Sequence, residues 1–135
     1  MPWLFEDEAS AGDDARLRLI ERAGAVVPSI WILEVANTLG LAERRNRITP
    51  LQVAASRSFL QALPIEVDHV LSWDGVEALL ELMGRHSLSA YDAAYLDLAL
   101  RWKLPLASRD AALCRAAVAA GVGLLDVPGA GPGHE

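Results

Sequence analysis

Ala25-Val26-Val27-Pro28-Ser29-Ile30 is the stretch on which the fold of this chain turns. It is short, mostly apolar and flanked by helix-like segments, the pattern of a strand buried within a parallel sheet. Ahead of it, Asp13 and Asp14 open a helix that runs to about Ala23 with Ala15, Leu17, Leu19 and Ile20 apolar, and Gly24 stops it. Behind it, Trp31 to about Asn46 reads as a helix with Leu33, Ala36, Leu39 and Leu41 on its apolar side. That helix ends in the polar run Glu43-Arg44-Arg45-Asn46-Arg47. Thr49 then caps a further helix, with Pro50 at its first position, running to Leu63.

The same alternation continues to the end of the chain. Pro64–Asp68 alternates as a strand does, and about Val70–Arg85 is helical with Val76, Leu79, Leu80 and Met83 on one face. Ser89 starts a helix to about Lys103, and Leu104-Pro105-Leu106-Ala107-Ser108 is a short strand. Asp110–Ala120 is an Ala-rich helix closed by Gly121, and Val122–Val127 is a last apolar strand. Four short strands separated by helical crossovers predict one α/β domain over 1–127, a parallel sheet covered by helices on both faces. Pro128–Glu135, rich in Gly and Pro, is expected to be a flexible tail.

Composition narrows the function. With 135 residues the chain has room for one domain, and at 53% hydrophobic and 22% charged it is globular. Its net charge of −6 excludes a polycation that coats nucleic acid by bulk electrostatics. The lone Cys114 excludes an internal disulfide and a cysteine zinc cage, and points to a reducing compartment. The opening Met1–Glu8 has no basic leader. The longest uncharged runs, Ala23–Leu33 (11 residues) and Ala116–Leu125 (10 residues), fall short of the roughly 20 apolar residues that span a bilayer. A soluble cytoplasmic protein with no membrane partner is expected.

In open parallel sheets, sites form at the C-terminal ends of strands, where the next helices begin. Three acids fall there. Glu34 lies in the first turn of the helix after Ile30, Asp92 in the first turn of the helix begun by Ser89, and Asp110 one residue past Ser108. Each has a local explanation: Asp92 completes a Ser-x-x-Asp capping box, Asp110 is a good N-cap, and Glu34 gains from the helix dipole. Together they suggest more. Carboxylates converging on one sheet edge repel, a divalent cation removes that repulsion, and Mg²⁺ suits an all-oxygen site that leaves positions for water and phosphate. Metal-assisted phosphodiester hydrolysis is the chemistry such a site supports.

The sequence also resembles a known family, the PIN-domain endoribonucleases, and in particular the VapC-like toxins of bacterial toxin–antitoxin pairs. Four segments carry the resemblance: Trp-Leu-Phe-Glu-Asp-Glu (3–8), Val-Pro-Ser-Ile-Trp-Ile-Leu-Glu-Val-Ala-Asn (27–37), Leu-Ser-Ala-Tyr-Asp-Ala-Ala-Tyr-Leu-Asp-Leu-Ala (88–99) and Leu-Pro-Leu-Ala-Ser-Arg-Asp (104–110). The resemblance implies a three-layer fold and an endoribonuclease whose acids hold Mg²⁺ or Mn²⁺. By it, Glu34, Asp92 and Asp110 match three of the family's four metal-holding acids, and Asn37 and Ser108 match polar positions beside them. It further implies RNA as substrate, a VapB-like antitoxin as partner and a homodimer as assembly. The rival reading is a catalytically inactive module of the same fold that only captures an antitoxin peptide.

One part of the family pattern is missing. Relatives open with an apolar strand ending in Asp-Ala-Ser, ahead of a helix that leads into the Trp-Leu-Phe-Glu-Asp-Glu segment. Here Met1-Pro2 directly precedes that segment, so the first, central strand and its Asp are expected to be absent. Glu6, Asp7 and Glu8 match the acidic cluster that follows the missing part and do not simply replace it.

Other residues read as supporting parts. Arg44, Arg45 and Arg47 cluster, and Arg85, Arg101, Lys103, Arg109 and Arg115 share the half that carries Asp92 and Asp110. Arg109, beside Asp110, is the best candidate among them for contact with substrate or partner. Asp97 lies about 140° round the helix from Asp92, so it is expected to assist only from behind the ligands. Trp31, Trp73 and Trp102 read as core or interface aromatics, and His69, His86 and His134 share no metal spacing. On this reading the chain as given cleaves RNA weakly or not at all with Mg²⁺, and an N-terminally extended form is active. Equal cleavage rates for the two, both abolished by Asp92→Asn, would overturn it.

Overall fold

A computed structural model describes residues 3–5, 14–69 and 72–125. In chain order the elements are β1 (Trp3–Phe5), α1 (Asp14–Ala23), β2 (Ala25–Pro28), α2 (Ile30–Arg44), α3 (Pro50–Ala62), β3 (Ile65–Asp68), α4 (Trp73–His86), α5 (Ala90–Trp102), β4 (Leu106–Ala107) and α6 (Ala111–Ala119). Local chemistry sets most of these boundaries. Gly24 adopts φ 79° and ends α1, a conformation that is inexpensive only for glycine. Thr49 and Gln52 cap α3 reciprocally, side chain to backbone N–H in both directions, with Pro50 at the first position as the sequence predicts.

The strands form one parallel sheet in the order β3-β2-β1-β4. The expectation that the first central strand is absent is therefore corrected, because Trp3–Phe5 occupies the middle position. Trp3 and Leu4 pair with Ala25 and Val26 on one side, and Leu4 and Phe5 pair with Leu106 and Ala107 on the other. The reason is backbone chemistry. The inner edges of β2 and β4 present peptide groups that cost about 1–3 kcal/mol each if buried unpaired. Any extended segment satisfies them, whatever its side chains. Glu6, Asp7 and Glu8, and the whole tail 128–135, lie outside the described residues. The expected strand at Val122–Val127 contracts to a single bridge between Leu106 and Leu124, with residues 126–127 again outside the described part.

Alternation along the strands divides the interior into two cores. Val26 and Leu106 face a cluster with Leu82, Leu88, Tyr95, Leu96, Leu98 and Leu113, drawn from α4, α5, α6 and the segments between them. Their neighbours Ala25 and Ala107 face the other side, against Ile20 of α1 and Leu63 after α3. Both sheet faces are covered, which gives three layers, as expected of strands whose consecutive residues are all apolar. Trp31 is buried, but Trp73 is 88% exposed and is not a core residue. Among the described residues no helix is long and apolar enough to cross a membrane.

Helix α5 is the central helix of the larger core, and an ion-pair network ties it to the sheet. Arg101 donates to Asp68 at the end of β3 (2.7 Å) and to Asp97 one turn back on α5 (2.8 Å). Burial works against the guanidinium's charge, but hydrogen bonds to the two carboxylates outweigh it and hold its pKa above the ordinary value. The Asp68 side chain is only 7% exposed, so removal of Arg101 strands a buried carboxylate. Arg101→Met is expected to cost about 2 kcal/mol, allowing for partial solvent screening. Thermal denaturation should show this as a fall in Tm of roughly 6–10 °C. Adding Asp68→Asn should recover part of that loss; a double variant less stable than Arg101→Met would refute the account.

Candidate functional site

The three acids singled out by sequence come from three separate elements. Glu34 is carried by α2, which follows β2; Asp92 by the first turn of α5; and Asp110 stands between β4 and α6 as the N-cap of α6. Helix α2 begins at Ile30 with Ser29 at its N-cap, one residue earlier than the sequence pattern predicts. Glu34 thus lies in the second turn, and the first turn holds no acid. The helix dipole, which acts within the first turn, does not account for its presence.

Its partner is instead across the core. The hydroxyl of Tyr95, a fully buried residue of α5, donates to Glu34 Oε1 at 2.5 Å, joining residues 61 apart in sequence. Tyr95 was not among the residues that sequence reasoning selected. The available signal was its place in Tyr-Asp-Ala-Ala-Tyr, three residues beyond Asp92, where helical geometry puts both on one side of α5. A buried tyrosine also needs a hydrogen-bond partner.

Asp92 keeps part of the local role that sequence suggests for it, through hydrogen bonding with the Ser89 side chain. Ser89 Oγ accepts from the Asp92 backbone N–H (3.1 Å), but Asp92 does not close the reciprocal half of a capping box as Gln52 does in α3. Asp110 does act locally: Oδ1 accepts from Leu113 N–H (2.8 Å), and its own N–H donates to Ser108 Oγ (3.0 Å). Ser108 therefore shapes the turn that presents Asp110. Asn37 is exposed and lies about 60° round α2 from Glu34, on the same side of the helix. Arg109 is exposed between Ser108 and Asp110. Asp97 is held by Arg101, away from the three acids.

Electrostatics connects the trio. The Glu34 carboxyl is raised above its ordinary value, first by burial and then by the charge of Asp92, while the Tyr95 hydrogen bond pulls it down. Asp92 is also raised, first by burial and then by the charge of Asp110, against the lowering effect of its hydrogen bond with Ser89. Asp92 is thus the middle member of a like-charged row. Among the described residues, no three potential ligands stand close enough together to form a ready-made cation cage. The donors are hard carboxylate oxygens, those of Glu34 and Asp92 partly desolvated, and by type they suit Mg²⁺ or Mn²⁺. If such an ion binds, Glu34, Asp92 and Asp110 would hold it, though the described arrangement does not gather the three into one ready site.

A pH dependence follows from the raised values. An acid whose folded-state pKa lies above its unfolded value stabilises the fold when protonated, and that contribution disappears as pH rises through the folded value. At pH 7 the ionised Asp92 therefore works against folding, and Asp92→Asn should melt at or above the wild type. The gain is no larger than about 1 kcal/mol, because the group is partly solvated. It should shrink as pH falls and vanish below the unfolded value of 3.8. A variant that melts several degrees lower at pH 7, in metal-free buffer, would contradict this.

Comparison with known proteins agrees with the fold. The solved structure of PAE2754 from Pyrobaculum aerophilum superposes with a TM-score of 0.63 at 21% identity, over 86% of this chain and 87% of that one, and so shares the fold. No curated protein gives a significant sequence match. The PIN domain family model matches residues 3–119, from β1 to the end of α6. The family's members are generally nucleases that use divalent metal ions. The chain belongs to the PIN domain family.

Proposed function

We propose that this protein is a metal-dependent endoribonuclease of the VapC-like toxin class, hydrolysing RNA phosphodiester bonds at the row formed by Glu34, Asp92 and Asp110. The observation that carries the reading is the electrostatic link from Glu34 through Asp92 to Asp110. A fold has no structural need to couple carboxylates from three elements, two of them partly desolvated, and their mutual repulsion lowers stability. Such a group is the kind of perturbed set that marks a functional site. When bound, a divalent ion would supply positive charge to stabilise the negative charge that builds on the phosphate oxygens and would ease deprotonation of the attacking water.

The chain's own residues have distinct parts. Asp92, whose charge acts on Glu34 and which feels that of Asp110, is the principal ligand. Glu34 is kept in position by Tyr95, and Asp110 offers Oδ2 while Oδ1 caps α6. Asn37 and Ser108 supply polar groups at the margin, and Arg109 is placed to contact RNA phosphate or an antitoxin side chain. A VapB-like antitoxin laid over the acidic row, a homodimeric assembly and a cytoplasmic location complete the proposal.

The test is cleavage of single-stranded RNA with Mg²⁺ or Mn²⁺, supplied or chelated. Whatever cleavage the chain performs, weak as the sequence leads one to expect, should require the ion and be lost in Asp92→Asn, a variant that should retain its fold and its affinity for an antitoxin peptide. The same ions should raise the Tm of the wild type but not of Asp92→Asn. Antitoxin binding without any metal-dependent cleavage would assign the protein to the inactive binding module instead.

A further inference from the structure

Beyond Glu34, helix α2 ends in a concentrated positive charge. Arg44, Arg45 and Arg47 stand at the turn between α2 and α3, all exposed, on a chain whose net charge is −6. Their backbone is held in place. The N–H groups of Asn46 and Arg47 donate to the carbonyls of Glu43 (3.0 Å) and Ala42 (2.8 Å), and Asn46 takes the left-handed φ of 59° that closes a helix in this way.

Local structure does not account for three cations there. Attraction to the helix dipole serves a charge in the last turn, the place of Arg44, and does not require two more beyond it. Glu43 adjoins them, yet none of the three arginines makes an ion pair among the described residues. The acidic row is not their partner either. Arg44 lies roughly 15 Å along the helix from Glu34, farther than a Debye length of about 8–10 Å. What the turn shares with the row is a side of α2. Asn37 lies about 60° and Arg44 about 80° round the helix from Glu34, in the same direction, and both are exposed.

A second exposed group stands at the row itself. Tyr91 is 62% exposed in the first turn of α5, one residue before Asp92 and one turn before Tyr95, whose hydroxyl reaches Glu34. Cations along a path and an aromatic face beside it are the means by which single-stranded nucleic acid is held whatever its sequence. A polyanion that approaches a carboxylate row on an acidic chain also needs local positive charge to draw it in. An acidic peptide would account for the arginines but not for the open ring beside Asp92. We propose that single-stranded RNA lies along α2 from the acidic row to the basic turn, with a base stacked on Tyr91 and phosphates bound by Arg44, Arg45 and Arg47. The guanidinium fork suits phosphate oxygens in pairs. This path rests on the nuclease reading for the place of the scissile bond, but binding tests it without cleavage.

The experiment is fluorescence anisotropy of a labelled single-stranded RNA of about ten nucleotides on the full chain, across a salt series, with EDTA present so that nothing is cut. Arg44→Gln with Arg47→Gln should weaken binding about tenfold and flatten the slope of log K against log salt by about 1.4, two phosphate contacts at roughly 0.7 each. Arg18→Gln with Arg22→Gln, at exposed positions of α1, makes the same change in net charge and should move neither. Tyr91→Ala should weaken binding about fivefold or more without altering the salt slope, and Tyr91→Trp should retain it. All these residues are exposed, so circular dichroism should show every variant folded. The proposal is overturned if the wild type does not bind, if the α1 pair loses as much as the turn pair, or if Tyr91→Ala binds as the wild type does. Displacement of the RNA by an equal concentration of acidic peptide overturns it too, and gives the turn to a protein partner. RNA held as described but left uncut when Mg²⁺ or Mn²⁺ replaces the chelator supports this surface and refutes the nuclease reading. Metal-dependent cleavage unchanged in the turn and Tyr91→Ala variants refutes the surface alone.

Discussion

Pairing of two inner strand edges is the constraint on which the rest of this molecule depends. β2 and β4 carry the segments that lead to Glu34 and Asp110, and they are held in mutual register because both pair with β1. Leu4 faces Val26 on one side and Leu106 on the other, so one three-residue strand fixes how far apart the two acidic positions stand. Backbone hydrogen bonding imposes this order. It is indifferent to side-chain identity, which allows a segment as unremarkable as Trp3–Phe5 to hold the centre of the sheet.

Helix α5 transmits that order to the site. Its buried side, including Tyr95, Leu96, Leu98 and Ala99, packs on the sheet, and this packing rather than any loop fixes the orientation of its first turn. Asp92 therefore projects from a rigid element, and the Tyr95 hydroxyl three residues on reaches Glu34 on α2. The same helix is secured at its other end, where Arg101 bridges Asp97 and Asp68. The stability of the packed core and of that ion-pair network offsets the repulsion accumulated among the acids. A row of like charges that opposes folding is tolerated because the scaffold around it is overdetermined.

Helix α2 divides the surface into two chemical territories. One side carries the oxygen donors Glu34 and Asn37; the other carries the apolar Val35 and Leu39 beside the cation Arg57, with Trp31 at the edge between them and its indole N–H unmet among the described residues. Because the net charge of the chain is −6, these opposed fields are invisible in its total. Composition alone excludes a polycation, but not a local basic margin. Recognition by charge is set over distances near the Debye length, about 8–10 Å, which is smaller than the domain.

By itself the sequence determined whatever depends on neighbours along the chain. Gly24 ends a helix because of its own φ, Thr49, Pro50 and Gln52 begin one through contacts within a turn, and apolar strand repeats announce a sheet covered on both faces. Glu34, Asp92 and Asp110 were likewise legible as acids near helix starts, since that position follows from spacing. What only the tertiary structure decided is whatever joins residues distant in sequence. The central place of Trp3–Phe5, the hydrogen bond from Tyr95 to Glu34, the bridge from Arg101 to Asp68 and the exposure of Trp73 all belong to this class. Each depends on which surfaces meet after the chain has folded, and hydrophobic burial and backbone pairing reward such meetings without leaving a periodic trace in sequence.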